Sequence, residues 1–258
     1  MSPKLHSEER GPVGAPVIVF LHGLLGSSRN WRSVTKSLSA EYRTLCFDLP
    51  NHGKSCHQPS TSVNEMADAI FLQLEEMGVS KFIICGHSLG GKVAMRMACD
   101  HSDSINKLVV VDIAPRDYPA EHHVPTLDAL IGLDLRLLSS RKDADLALTE
   151  KIPNWAFRQF LLTNLEQKEG QFSWLPNLDT LRSSIASLSS NPLKEEQFLK
   201  KTLFICGGKS GYVRTEHHEQ IKHFFPHAEI QTLANAGHDV HVEDREGFLT
   251  LFQSFLRD

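Results

Sequence analysis

Gly86-His87-Ser88-Leu89-Gly90 follows the apolar run Phe82-Ile83-Ile84-Cys85 and precedes a helical pattern, Val93-Ala94-Met95-Arg96-Met97-Ala98. A Gly-x-Ser-x-Gly between a strand and a helix describes a sharp, strained turn that carries a serine nucleophile at its apex. The glycines on either side leave room for strand and helix to pass closely, where a side chain would collide. Such a turn lifts the Ser88 hydroxyl above a sheet, within reach of a substrate carbonyl. Short glycine motifs occur by chance; the strand before and the helix after give this one its weight.

Working outward, short β-rich runs alternate with amphipathic stretches. Strands are predicted at Pro16 to Leu21, Thr44 to Phe47, Phe82 to Cys85, Leu108 to Ile113, Thr202 to Cys206 and Ile230 to Leu233. Between the first and second lies a helical pattern from Trp31 to Leu38, and between the second and third a helix from Val63 to Met77. In that second helix Ser62 and Glu65 have capping-box spacing, Gly78 stands where a C-terminal glycine belongs, and Met66, Ile70, Leu74 and Met77 share a face. A terminal helix shows Phe248, Leu251, Phe252, Phe255 and Leu256 as one stripe. Strand–helix alternation of this kind predicts an α/β fold, a mostly parallel sheet with helices on both faces.

Between Ala114 and about Lys194 the alternation stops, and only helical patterns remain: Leu127 to Leu138, Ala144 to Glu150, Trp155 to Leu165 and Leu178 to Leu188. The expected organisation is therefore a core from residues 1–114 and 195–258, with a helical lid inserted at 115–194. Trp155, Trp174, Phe157, Phe160 and Phe172 lie in this insert. They either pack the insert on itself or line an apolar acyl pocket from the lid's underside.

Composition narrows the partners. The chain has 258 residues, 41% of them hydrophobic, and a formal charge of −4. With no basic run to track a phosphate backbone, nucleic acid is not an expected partner. No stretch approaches the ~20 apolar residues of a membrane span. The segment Met1 to Arg10 lacks the apolar stretch of a secretory signal. Cys46, Cys85, Cys99 and Cys206 lie in apolar runs, and five cysteines are an odd count for a disulfide framework. The expectation is a cytoplasmic protein without a membrane partner. His122-His123 and His217-His218 are adjacent pairs that do not share a helix face, and the cysteines lack zinc-type spacing, so neither metal nor other cofactor is expected.

Acyl transfer by a serine needs a base, an acid to orient it and donors for the oxyanion. With the elbow of an α/β-hydrolase the chain order is Ser, then Asp or Glu, then His. His238, in Ala236-Gly237-His238, follows the last strand and precedes the terminal helix; His241 is its neighbour, read as structural. The acid is less obvious. Many hydrolases of this fold carry it after the penultimate strand in a Gly-x-x-Asp pattern, but here that stretch reads Gly207-Gly208-Lys209-Ser210. Ser210 cannot supply an anion. Asp112 ends the apolar run Val109-Val110-Val111, where an unpaired carboxylate would be expensive to bury. It is the candidate acid, its other role being to cap the turn at Ile113-Ala114-Pro115. Asp48 also ends a strand but precedes the serine, and is read as structural. Oxyanion donors are assigned to the backbone N–H groups of Leu89, after the nucleophile, and Leu24, in the loop His22-Gly23-Leu24-Leu25-Gly26.

On these residues the chain resembles the α/β-hydrolase serine esterases nearly end to end, and more narrowly the small bacterial YbfF-type esterases. The supporting segments are Phe20-Leu21-His22-Gly23-Leu24, Asn51-His52-Gly53-Lys54-Ser55, Gly86 to Lys92, Val111 to Pro115, Gly207 to Val213 and Ala236-Gly237-His238. The resemblance implies a Gly-Gly-x-Ser stretch without the acid, which agrees with Asp112. It further implies short- to medium-chain acyl esters as substrates, with thioesters such as acyl-CoA possible. Asp239 departs from the aromatic residue common after the histidine, and the N-terminal strands look abbreviated. Two rivals stay open: a lyase or carbon–carbon bond hydrolase using the same triad, with Arg136, Arg158 and Arg182 as a cationic pocket for a carboxylated metabolite, and a non-catalytic binding module.

Overall fold

The structure, a computed structural model, describes residues 4–257; residues 1–3 and 258, the extreme ends of the expected core, lie outside it. Nine strands are described: β1 (Ser7–Arg10), β2 (Val17–Leu21), β3 (Arg43–Phe47), β4 (Phe82–His87), β5 (Ile105–Val111), β6 (Leu165–Lys168), β7 (Gln171–Trp174), β8 (Thr202–Gly207) and β9 (Ala228–Leu233). The helices are α1 (Arg32–Leu38), α2 (Val63–Glu76), α3 (Leu89–Asp100), α4 (Val124–Ile131), α5 (Arg141–Leu148), α6 (Trp155–Leu162), α7 (Leu178–Ser189), α8 (His218–Phe224), α9 (Val240–Glu243) and α10 (Arg245–Arg257).

Seven strands form one sheet in the order β1-β3-β2-β4-β5-β8-β9, parallel except for β1, which pairs antiparallel with β3. Side-chain alternation sorts the central strands between two cores. Ile18 and Phe20 of β2, Ile83 and Cys85 of β4, and Val109 and Val111 of β5 face α1 and α10, whose Val34, Phe248 and Phe252 are fully buried. Val19, Leu21, Ile84, Leu108 and Val110 face the opposite way, against Met66 and Ile70 of α2 and Val93 and Met97 of α3. Both faces of these strands are covered, which is why they read as unbroken apolar runs rather than alternating ones.

The α2 helix starts where expected: Ser62 Oγ accepts from Glu65 N at 3.2 Å. Its stop is Gly78, at φ +70°. Two elements depart from the sequence reading. The β1 strand was not anticipated, because Ser7-Glu8-Glu9-Arg10 has no apolar alternation; it is an edge strand whose Glu9 pairs with Arg43 at 2.6 Å. The insert is not helical throughout either. Residues 163–165, expected at the end of a helix, instead lead into the β6–β7 hairpin, turned by Glu169 and Gly170 at φ +51° and +80°. No helix among the described residues is long and apolar enough to cross a membrane.

Candidate active site

Ser88 stands between β4 and α3 at φ 52°, ψ −118°, a conformation costly for a residue with a side chain. Two glycines make the turn possible. A Cβ on Gly86 would lie 2.1 Å from the Gly90 carbonyl oxygen, and one on Gly90 would lie 2.4 Å from the Leu21 carbonyl oxygen. Helix α3 therefore passes close to both its own strand and β2. Ser88 N donates to Val111 O at 3.0 Å, tying the turn to the end of β5.

The next residue along β5 is Asp112, also at positive φ (49°) and fully buried. Its carboxylate is fully engaged. Oδ1 accepts from Gly207 N at 2.9 Å; Oδ2 accepts from the Ser210 hydroxyl and lies 2.8 Å from His238 Nδ1. Since a carboxylate only accepts at neutral pH, His238 Nδ1 carries the proton and Nε2 is left with a free lone pair. The imidazole is 28% exposed, stacked on Tyr212 with ring centroids 3.9 Å apart.

The loop that carries His238 is held from several directions. Glu243 of α9 accepts from Gly237 N at 2.8 Å and from Asp239 N at 3.3 Å. Lys209 N donates to Ala236 O at 2.9 Å, linking this loop to the end of β8. His87 Nε2–H donates to the His238 carbonyl at 2.9 Å. Burial first, then the neighbouring His238, hold His87 down to about 4, so it is a neutral donor. His241 is buried and stacked on Trp31 at 4.3 Å, and burial keeps it well below the ordinary histidine range, in line with a structural role.

Opposite the serine, the loop 22–26 is a tight turn closed by Gly26 N donating to Gly23 O at 3.0 Å, with Leu25 at φ 59°. His22 braces it: Nδ1–H donates to Gly23 O at 2.8 Å, and Nε2 accepts from Leu49 N at 3.0 Å. Asp48, like His22, serves the framework, accepting from Ser28 N at 2.6 Å and Lys54 N at 2.8 Å. Leu89 opens α3, where a backbone N–H has no intrahelical acceptor.

Ser88, Leu24 and Leu89 share one cleft, walled on the insert side by Ile185 and Leu188 of α7. Its interior has about 30 Å³ for water-sized contents. Tyr118, His123, Lys92 and Tyr212 also line it, none of which the sequence reading had placed at a pocket. Trp155, Trp174, Phe157, Phe160 and Phe172, the insert aromatics picked out in the sequence, do not line it: Trp155 is 65% exposed, Phe157 is also exposed, and Phe172 is buried. The expected cationic pocket is also absent from this cleft. Arg136 pairs with Asp134, Arg158 with Asp145 at 2.6 Å, and Arg182 with Asp128 at 2.6 Å, and none of the three lines it. Each arginine is held by a carboxylate of its own neighbourhood.

A seven-stranded, mostly parallel sheet with a strained serine turn at its centre defines a class, and family comparison agrees. Residues 16–245 match the model of the alpha/beta hydrolase fold; the chain belongs to that family. It is 39% identical over 253 residues to mouse sn-1-specific diacylglycerol lipase ABHD11, covering 95% of this chain and 82% of that protein. It is 30% identical to Escherichia coli esterase YbfF, over 93% of both chains. Among solved structures, a marine microorganism esterase superposes with a TM-score of 0.95 at 31% identity, covering 98% of this chain and all of the other. Within the family the chain is a carboxylic ester hydrolase.

Proposed function

We propose that the chain cleaves short- to medium-chain acyl esters through a Ser88–His238–Asp112 triad and an acyl-enzyme. The observation that carries this reading is the 2.8 Å contact between His238 Nδ1 and the fully buried Asp112, beside a cleft that holds Ser88. With Nδ1–H committed to Asp112, His238 Nε2 takes the proton from Ser88 as its oxygen attacks the carbonyl. Leu24 and Leu89 N–H groups stabilise the tetrahedral oxyanion. His238 then gives the proton to the leaving alcohol, or to a thiol if acyl-CoA is a substrate. Water repeats the sequence on the acyl-serine and releases the acid.

Residues 115–194 act in this reading as a lid. Helix α7 forms one wall of the cleft beside Ser88, so the seating of the insert sets the room left for an acyl chain. Ile185 and Leu188 then supply the apolar wall against which the chain lies. The lyase or carbon–carbon hydrolase reading needs a free cation for a carboxylate, and the three lid arginines are already paired.

The test is hydrolysis of p-nitrophenyl esters from C2 to C12, beside matching acyl-CoA thioesters and a diacylglycerol, with Ser88→Ala as control. Ser88-dependent turnover with a maximum at one chain length is the expected result. Absence of turnover on every ester and thioester, in a protein still labelled at Ser88 by a fluorophosphonate, would return the carbon–carbon reading.

A further inference from the structure

Lys92 lies one turn beyond the nucleophile, its N–H donating to Ser88 O at 3.1 Å, and is only 2% exposed. The acyl-transfer mechanism gives it no task. Its ammonium makes no direct ion pair, the nearby Asp117 carboxylate acting on it only at longer range. It donates to three backbone carbonyls: Ser189 O at 2.5 Å, Ser190 O at 2.6 Å and Arg116 O at 3.3 Å. Arg116 is where the chain leaves the core for the insert, and Ser189-Ser190 is where α7 ends and the chain returns. The two joints are also stitched to each other: Tyr118 N donates to Ser189 O at 2.9 Å, and Asn191 N to Asp117 Oδ1 at 2.7 Å. One turn further along α3, Arg96 donates to Pro192 O at 3.2 Å.

Burying an ammonium is costly unless every donor is used, and here three N–H donors meet three carbonyls. The last residue of α7, Ser189, and its neighbour Leu188 line the cleft, as does Tyr118 at the other joint. We propose that Lys92 is a positioning residue: its ammonium pins both joints of the insert to the nucleophile helix and so fixes the wall of the cleft against which the acyl chain is measured. The role of that wall rests on the esterase reading; the pin itself does not. Burial lowers the Lys92 side chain to about 7, with Asp117 opposing and Arg116 adding to the depression, and the amino group donates to the joint carbonyls in either protonation state. His123 and Tyr118 are the other titratable groups facing it.

The pin is tested with Lys92→Met, which keeps the length of the side chain and removes its donors. Two readouts are taken on the folded protein: the ratio of kcat/KM for C8 to C2 p-nitrophenyl esters, and the rate of tryptic cleavage after Arg116. A change in folded fraction alone scales both esters equally and leaves the ratio unmoved. The expected result is a ratio lowered about tenfold and cleavage after Arg116 at least tenfold faster. A folded variant in which either readout stays at its wild-type value overturns the proposal. If Lys92→Met does not fold, wild-type protein decides. Labelling by an N-hydroxysuccinimide acetate at pH 8, followed residue by residue, should leave Lys92 unmodified while exposed Lys142 reacts; early labelling of Lys92 overturns the pin. Failure of the esterase reading would show separately, as loss of fluorophosphonate labelling at Ser88 in the wild-type protein.

Discussion

The Ser210 hydroxyl donates to Asp112 Oδ2, the same oxygen that lies 2.8 Å from His238 Nδ1. The position where many hydrolases of this fold carry their acid is thus occupied here by a donor to an acid that comes from another strand. Ser210 Oγ in turn accepts from Tyr212 N at 3.1 Å, and Tyr212 stacks on His238.

This relationship separates two variants. Ser210→Ala removes one neutral donor from a carboxylate that keeps Gly207 N and His238, so kcat/KM is expected to fall by no more than about a hundredfold, the scale of one hydrogen bond to a charged group. Asp112→Asn removes the anion and lets the amide present the wrong partner to Nδ1–H; a loss of about 10⁴ in kcat is expected, the magnitude this change has in a serine protease. Steady-state kinetics on one ester compares the two. Equal losses would refute the assignment of Asp112.

Ser88→Ala tests the nucleophile. Alanine at φ 52° is no easier to hold than serine, and the Ser88 hydroxyl makes no capping hydrogen bond to α3, so the melting temperature should move by no more than a few degrees. Turnover and fluorophosphonate labelling should both vanish. Retained turnover would place the chemistry elsewhere.

Acid should destabilise this protein more steeply than its carboxylates alone predict. Burial lowers His52 to about 3 and His87 to about 4, and holds His241 well below the ordinary value. The unfolded chain takes up these protons near pH 6.5, whereas the native state refuses them until near pH 4 at His87, near pH 3 at His52 and well below the ordinary range at His241. Stability contributed by these neutral rings is present above about pH 6.5 and is lost as pH falls through that window, by up to about 1.4 kcal/mol per unit for each histidine. His241→Phe should keep the stack on Trp31, relieve a buried Nδ1 that has no hydrogen-bond partner, and flatten the slope of stability against pH. Denaturant titrations at pH 7.5, 6 and 5 measure it; an unchanged slope would show that His241 is not a buried neutral ring.

Legibility in the sequence followed how local each constraint is. The serine turn was readable because its sterics are written within five residues, Gly86 to Gly90. The pairing of Asp112 was readable because one carboxylate interrupts an apolar strand, a conflict that demands a partner even before the partner is known. The β6–β7 hairpin was hidden, since each strand has four residues and only the Glu169-Gly170 turn marks it. The β1 strand was hidden for a different reason: it is stabilised by backbone pairing and by Arg43 and Arg32 reaching Glu9 and Glu8, contacts between residues far apart in the chain. Lys92 and Tyr118 are likewise cleft residues only through tertiary proximity, and no spacing in the sequence announces them.

The convergence of Asp112 and Ser210 on one point predicts that the acid can be moved. In Asp112→Ser, His238 loses its orienting anion, and kcat should fall by orders of magnitude. Adding Ser210→Asp restores a carboxylate on the loop after β8, at a residue whose side chain already reaches the oxygen that meets Nδ1–H. The new side chain is one atom longer than serine, and the serine at 112 leaves room and offers it a hydroxyl donor. The double variant should therefore recover at least tenfold in kcat over Asp112→Ser, whereas Ser210→Asp alone should be poorly active, because a second carboxylate beside the buried Asp112 cannot ionise with it without each raising the other's pKa. Kinetics of the three variants on one ester, with melting temperatures to confirm folding, give the answer. If the double variant is no better than Asp112→Ser, the carboxylate must approach His238 from the β5 side, and the site tolerates only that geometry.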